Sequence, residues 1–248
     1  MEETRKEVEI KLRVGEPAAM RRALAKLGAR AVLVDAERKA RPTAKARCHE
    51  FNTLFDTPDG GLAKHGQLLR IRVEKPEGRG AARARAARTI LSFKGPSAQD
   101  SEASAALHRR YKIRDEFEVD VTDADRLRLI LEALGLKGWF RYEKYRTTFQ
   151  LPTKQRWAAG LHLQLDETPI GAFLELEGPP EAIDRAARLL GYRSSDYITQ
   201  SYLALQIERN RKRGVPTGDM LFPERGSKKS KKNEGKAHSL LDKARVSL

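Results

Sequence analysis

Three charged residues at two-residue spacing, Glu7, Glu9 and Lys11, are set in the stretch EVEIKLRV, residues 7–14. Strict alternation with Val8, Ile10, Leu12 and Val14 is the period of a β-strand, so the charges share one face and the apolar residues the other. The same arrangement recurs along the chain. Arg70, Arg72 and Glu74 alternate in QLLRIRVE, Ser92 and Lys94 in RTILSFKG, and Lys112, Arg114, Glu116 and Glu118 in KIRDEFEVDV. Lys144 and Arg146 follow in RYEKYRTTFQL, then His162, Gln164 and Asp166 in GLHLQLDE, and Glu175 and Glu177 in AFLELEG. Lysines and arginines from several strands form an array of point charges and planar forks suited to phosphate oxygens. Carboxylates gathered beside them supply the hard oxygen ligands that Mg²⁺ or Mn²⁺ prefers. Cations for a polyanion next to anions for its counter-metal describe a metal–triphosphate site.

The positioning elements are strands broken by a few helices. With the opening strand and FNTLFDT (51–57), the segments 67–74, 88–95, 112–121, 141–151, 160–167 and 172–178 make eight expected strands. Four helices are expected: Pro17 to Gly28 and Pro180 to Gly191, each with Pro near its start and Gly at its end; Asp123 to Gly135, with a capping Asp; and Ser195 to Asn210. Residues 75–87 and 96–110 are rich in small or charged residues and read as long hairpin loops.

Each strand has only one apolar face, for example Leu69, Ile71 and Val73, or Leu91 and Phe93, or Phe117 and Val119. That face is expected to lie under the helices. Two structures satisfy the pattern. An open sheet would show its charged face to water, with cross-strand ion pairs worth ~0–1 kcal/mol each. A closed barrel would carry the charges inside, which is tenable only around water or a charged ligand, because unpaired buried charge costs several kcal/mol. A barrel of eight strands encloses room for one small ligand.

The 248 residues are 40% hydrophobic and 33% charged, with one cysteine, Cys48, so no internal disulfide forms. No apolar run approaches membrane-spanning length, and a cytoplasmic location is expected, with no membrane insertion. Of the +15 net charge, +7 falls from Glu208 onward. Residues 208–248, with GSKKSKKNEGK, read as a basic, disordered tail able to make weak nucleic-acid or polyphosphate contacts, and removable after Asn210 without loss of stability. His49, His65, His108 and His162 are bases on paper, none of them in a nucleophile arrangement.

The Glu7-x-Glu9-x-Lys11 motif resembles the signature of the CYTH family, the triphosphate tunnel metalloenzymes. The likeness runs in family order through FDTPDGGLAKHGQLLRIRVE, SFKGP, IRDEFEVDV, KYR, LDET, FLELEG and SYLAL, covering residues 7 to about 207. It implies an α+β fold: an eight-stranded antiparallel β-barrel, or tunnel, with a charged interior and flanking helices, forming one domain over residues 1–207. By that resemblance Lys11, Arg70, Arg72, Lys94, Arg114, Lys144 and Arg146 grip phosphate. Glu7, Glu9, Glu175 and Glu177 hold Mg²⁺ or Mn²⁺, and Glu116 and Glu118 are further metal or water-orienting carboxylates. Asp166 either ligates metal or orients a basic neighbour, and Glu7, Glu9 and Lys11 form the catalytic core. Arg13 lies outside the motif, at the rim. The substrate is then a triphosphate (tripolyphosphate, thiamine triphosphate or ATP). Hydrolysis is favoured because it needs only triphosphate, metal and water. Cyclisation of ATP to cyclic AMP, and binding of polyphosphate or RNA without turnover, are the alternatives.

Overall fold

A computed structural model describes residues 6–34, 40–42, 46–77, 87–97 and 110–223. Among the described residues there are ten strands: β1 (Lys6–Val14), β2 (Arg30–Val34), β3 (Ala40–Pro42), β4 (Arg47–Asp56), β5 (Leu68–Pro76), β6 (Arg88–Ser97), β7 (Lys112–Val121), β8 (Lys137–Gln150), β9 (His162–Thr168) and β10 (Gly171–Glu177). Four helices of ten or eleven residues accompany them: α1 (Pro17–Lys26), α2 (Ala124–Ala133), α3 (Pro180–Leu189) and α4 (Tyr202–Lys212).

The strands pair antiparallel in the order β8-β4-β5-β6-β7-β1-β10-β9, and β9 pairs back onto β8. Eight strands therefore close into a barrel, the expected eight, and the open-sheet alternative is excluded. Closure satisfies every edge of the ring and fixes the inside and outside of each strand. β2 and β3 were not expected; they form a small flap on β8, where β2 continues past the point at which β4 ends. The run AVLV of β2 follows α1 so closely that it reads as a helix exit. β4 begins at Arg47, four residues before the expected start, because Cys48 and Glu50 extend the inward row although CHE has little β propensity.

The apolar faces of β1, β9 and β10 pack under α1 and α3. Ile10, Leu12, Leu163, Leu165, Leu174 and Leu176 meet Met20 and Leu24 of α1 and Ile183, Ala186 and Ala187 of α3, all buried. Each such side chain contributes about 1.5–3 kcal/mol by leaving water. Gly178, with φ +146°, brings the start of β9 against the end of β10, since a Cβ there would lie 2.5 Å from the Gly160 carbonyl oxygen. α2 is capped by Asp123, whose side chain accepts from the Arg126 amide, and covers Ile71, Leu69 and Leu91 with Leu127 and Leu131. Phe117 and Val119, expected under a helix, are 52% and 55% exposed.

The closing helix starts later than expected, at Tyr202, with Ser201 as its cap. Ser194–Asp196 form a short 3-10 turn, and residues 197–201 run extended, with Ile198 exchanging both backbone hydrogen bonds with Lys11, each at 2.9 Å. α4 continues to Lys212, and the chain beyond it returns to β8, where Asp219 accepts from the Arg141 backbone amide and guanidinium. Met220 exchanges backbone hydrogen bonds with Arg141 and Glu143 and buries its side chain, so truncation after Asn210 would remove part of the core. The signal was missed because a lone Met in GVPTGDMLF has no periodicity to announce it. Residues 224–248, including GSKKSKKNEGK, lie outside the described residues, as do 78–86 and 98–109, most of the two expected loops. Among the described residues no helix is long and apolar enough to cross a membrane.

Candidate functional site

The barrel encloses a cavity of about 1100 Å³ whose lining includes Glu7, Glu9, Lys11, Arg70, Arg72, Lys94, Arg114, Glu116, Glu118, Lys144, Arg146, Glu175 and Glu177. Every residue assigned from the sequence therefore faces one space, except Asp166, which lies behind it. Arg13 is exposed, its guanidinium 4.9 Å from the Phe173 ring. The register explains the convergence. Lys11 of β1 lies opposite Glu175 of β10, Glu9 opposite Glu177 and Lys112, and Glu7 opposite Arg114.

One end is closed. Tyr202 and Leu203 of α4 pack there against Leu54, Phe140, Tyr142, Phe173 and Met220. The Tyr202 hydroxyl donates to Asp166 Oδ2 at 2.8 Å. Asp166, fully buried, also accepts from Lys144 Nζ at 2.9 Å and from Arg146 Nε and Nη2 at 2.7 Å each. With four donors on two oxygens, this carboxylate orients Lys144 and Arg146. Glu50 stands beside the pair, 3.4 Å from Lys144 and 3.5 Å from Arg146, and Arg146 also contacts Glu175. Burial works to raise the Glu50 pKa, but Lys144, Arg146, Arg72 and Arg70 outweigh it and hold it at about 2.

Along the β1 side, Lys11 Nζ lies 3.1 Å from Glu9 and 3.4 Å from Glu175, and Lys112 donates to Glu9 at 2.8 Å. Lys94 reaches Glu7 at 2.5 Å and Glu116 at 3.2 Å. On the facing wall Arg70 donates to the Tyr142 hydroxyl at 2.9 Å and to Ser92 at 3.2 Å, with Glu118 3.8 Å away. Arg72 lies 3.0 Å from Glu118 and 2.9 Å from Glu74.

Burial pushes the Lys112 ammonium down to about 8 despite Glu9. Glu9 is held well below its usual range, because Lys11, Lys112 and Lys94 overcome the opposing effect of burial. Glu7 is pushed up to about 6, chiefly by burial and further by the charges of Glu9 and Glu116, against Lys94.

That crowding bears on a metal. Among the described residues no three His, Cys, Asp or Glu side chains already converge as a metal cluster. The donor chemistry nevertheless fits: Glu7, Glu9 and Glu116 are hard oxygen donors, and the charges of Glu9 and Glu116 resist the ionisation of Glu7, a repulsion that a divalent cation relieves.

Sequence reasoning missed several members of the site. Lys112 stood on the charged face without a role. Glu50 fell just before the expected start of β4 and Asn52 one residue inside it, although their spacing with Cys48 and Leu54 marks the inward row. Tyr142 carries no charge to draw notice, and Ser92 stood on the polar face beside Lys94 without a role. Of the histidines, His162 lines the cavity and His49 lies 3.6 Å from Glu143, away from the lining. His65 is exposed with its ring nitrogen against the Gly61 carbonyl, and His108 lies outside the described residues.

The interior of the closed eight-stranded barrel is lined by acids and bases together. The CYTH domain matches residues 5–202, and the chain belongs to that family. It is 29% identical over 211 residues to the adenylate cyclase CyaB of Aeromonas hydrophila, covering 80% of this chain and 87% of that one. In fold it is similar to solved proteins of Vibrio parahaemolyticus (TM-score 0.59, 19% identity, 81% of this chain and 97% of that one) and Pyrococcus horikoshii (TM-score 0.58, 22% identity, 82% and 99%).

Proposed function

We propose that this protein is a metal-dependent triphosphatase. The observation that carries the reading is the blind, charged cavity: Lys11, Arg70, Arg72, Lys94, Arg114, Lys144 and Arg146 converge on it from different strands. Phosphoryl transfer requires mainly positioning and charge neutralisation. In the resting tunnel most of these cations face carboxylates. Phosphate takes over the cations, and the carboxylates Glu7 and Glu9, with Glu116, Glu175 and Glu177, become available to Mg²⁺ or Mn²⁺. The metal, when bound, neutralises phosphate charge and lowers the pKa of a coordinated water.

The chain's own residues do the rest. The forks of Arg70 and Arg72, two residues apart on one face, hold adjacent phosphate oxygens. Lys144 and Arg146, oriented by Asp166 and Glu50, fix the phosphate nearest the closed end. Glu118, held by Ser92 at 2.9 Å and by Arg72, is placed to orient a water. The water oxygen attacks the terminal phosphorus, the bridging P–O bond breaks, and orthophosphate leaves with the shortened chain. Asp166 acts in this reading as an orienting group and not as a metal ligand.

The likeness to a protein named adenylate cyclase favours a second reading. There the ribose 3′-hydroxyl attacks the α-phosphorus of ATP and pyrophosphate leaves, and the same cations hold the triphosphate. Incubation of purified protein with Mg²⁺ or Mn²⁺ and tripolyphosphate, thiamine triphosphate or ATP separates the two by product. Orthophosphate is expected. Cyclic AMP with pyrophosphate would establish the second reading, and tight binding without product would leave a binding protein.

A further inference from the structure

Asn52 stands on the inward row of β4 between Glu50 and Leu54, both of which line the cavity. It lies opposite Arg72 of β5 on one side and Tyr142 of β8 on the other. Its side chain is 0% exposed, and among the described residues neither its amide oxygen nor its amide nitrogen has a hydrogen-bond partner. Two neighbours share the deficit: Arg72 Nε, opposite in register, and Glu50 Oε2, two residues back on the same strand face. The unmade bonds are complementary. Arg72 Nε is a donor and Asn52 Oδ1 an acceptor; Asn52 Nδ2 is a donor and Glu50 Oε2 an acceptor. A buried amide with no bond at either end is costly and rare, which points to a second state that uses it.

In the resting state Arg72 is turned towards carboxylates. Its Nη2 donates to Glu118 at 3.0 Å, and its Nε lies 2.9 Å from Glu74 without the angle of a hydrogen bond. We propose, on the reading that Arg72 grips phosphate, that Asn52 is the positioning residue for the substrate-engaged arginine. When Arg72 leaves Glu118 and Glu74 for phosphate, its Nε–H donates to Asn52 Oδ1. Asn52 Nδ2–H in turn donates to Glu50 Oε2, the carboxylate that braces Lys144 and Arg146. Tying Nε fixes the plane of the guanidinium and leaves both terminal nitrogens for a bidentate grip. The relay links the arginine pair of β5 to the cation pair of β8, so the two halves of the phosphate site close together.

The test is a double-mutant cycle read by calorimetric binding of imidotriphosphate with Mg²⁺; its P–N–P bridges resist hydrolysis. Asn52→Leu removes both amide atoms at similar size. It is expected to weaken binding by about tenfold, the loss of a hydrogen bond to a charged group. It should melt no earlier than wild type, because no unbonded buried amide remains. In an Arg72→Ala background the same substitution should change binding by less than about twofold. Asn52→Ala completes the cycle should the leucine variant not fold. Wild-type affinity in the Asn52 variant, or a tenfold loss that persists undiminished without Arg72, overturns the proposal. Unchanged affinity in Arg72→Ala alone would overturn the phosphate-gripping reading beneath it.

Discussion

Replacing Asp166 by Asn tests the closed end of the tunnel. The carboxylate is fully buried and accepts from Tyr202, Lys144 and twice from Arg146. Asparagine keeps the shape and one carbonyl oxygen but turns an acceptor into an NH₂ aimed at donors. Removing one partner of a buried ion pair costs about 3–5 kcal/mol, because the other charge stays desolvated. Glu50 remains near both cations and Glu175 near Arg146, so part of the loss is offset and the lower end, about 3 kcal/mol, is expected. For a domain of this size that is a fall in Tm of roughly 6–12 °C. The control is Asp120→Asn, whose carboxylate is half exposed in its ion pair with Arg88 and which is expected to cost about 1 kcal/mol. Thermal melting of metal-free protein gives both numbers. An Asp166 variant that melts within about 2 °C of wild type would refute the reasoning. If it kept that stability and lost the stabilisation given by added Mg²⁺, Asp166 would be a metal ligand after all.

At Arg70 and Arg72 activity should fall in the order wild type, Lys, Ala. The Ala variants should lose about ten- to a hundredfold, since Lys keeps the charge and loses the fork. Ile71→Ala, on the opposite face under α2, should instead lower stability by about 2–5 kcal/mol with little effect on binding, and the reverse pattern would mean that inside and outside were exchanged. Truncation after Asn210 should destabilise strongly through loss of buried Met220 and the Asp219–Arg141 contact, whereas an equal melting temperature would show that the segment 219–222 does not hold the closed end. Glu7 has a folded pKa raised from 4.5 to about 6, so its stabilising contribution is complete below about 4.5 and lost as pH rises through 6. Glu7→Gln should therefore match wild type at pH 4 and exceed it by about 2 kcal/mol at pH 8, while losing metal-dependent turnover; a variant less stable at both pH values would contradict this.

The legible part of the fold is the part whose sequence period is two. Alternation in KIRDEFEVDV or QLLRIRVE states which residues share a face, and eight such segments converge on one cavity because a closed ring leaves only one inside. What alternation does not state is how far a face is covered. α2 covers Leu69 and Ile71 of β5 and Leu91 of β6, while Phe117 and Val119 of β7 stay about half exposed although their pattern matches that of buried Leu163 and Leu165. Nor does it mark single residues that act through a neighbour. Asn52, Tyr142 and Ser92 share the spacing of the inward rows but are uncharged, so alternation alone does not single them out, and Met220 is joined to Tyr142 only through the return of the chain.

The charge arithmetic of the interior explains why such a barrel can fold at all. A tunnel lined by cations alone would hold several desolvated like charges, each costing several kcal/mol. Here carboxylates stand against Lys11, Lys94, Arg72, Lys144 and Arg146 within 3.2 Å, so the resting site is close to self-neutralised. The carboxylates that make folding possible are then competitors of the ligand, and a phosphate alone must break ion pairs to enter. A phosphate arriving with a divalent cation supplies both replacements at once, an anion for the lysines and arginines and a cation for the glutamates. On the triphosphatase reading proposed above, the mixed character of the lining, which at first sight weakens a phosphate site, would make it select the metal-bound form of its ligand.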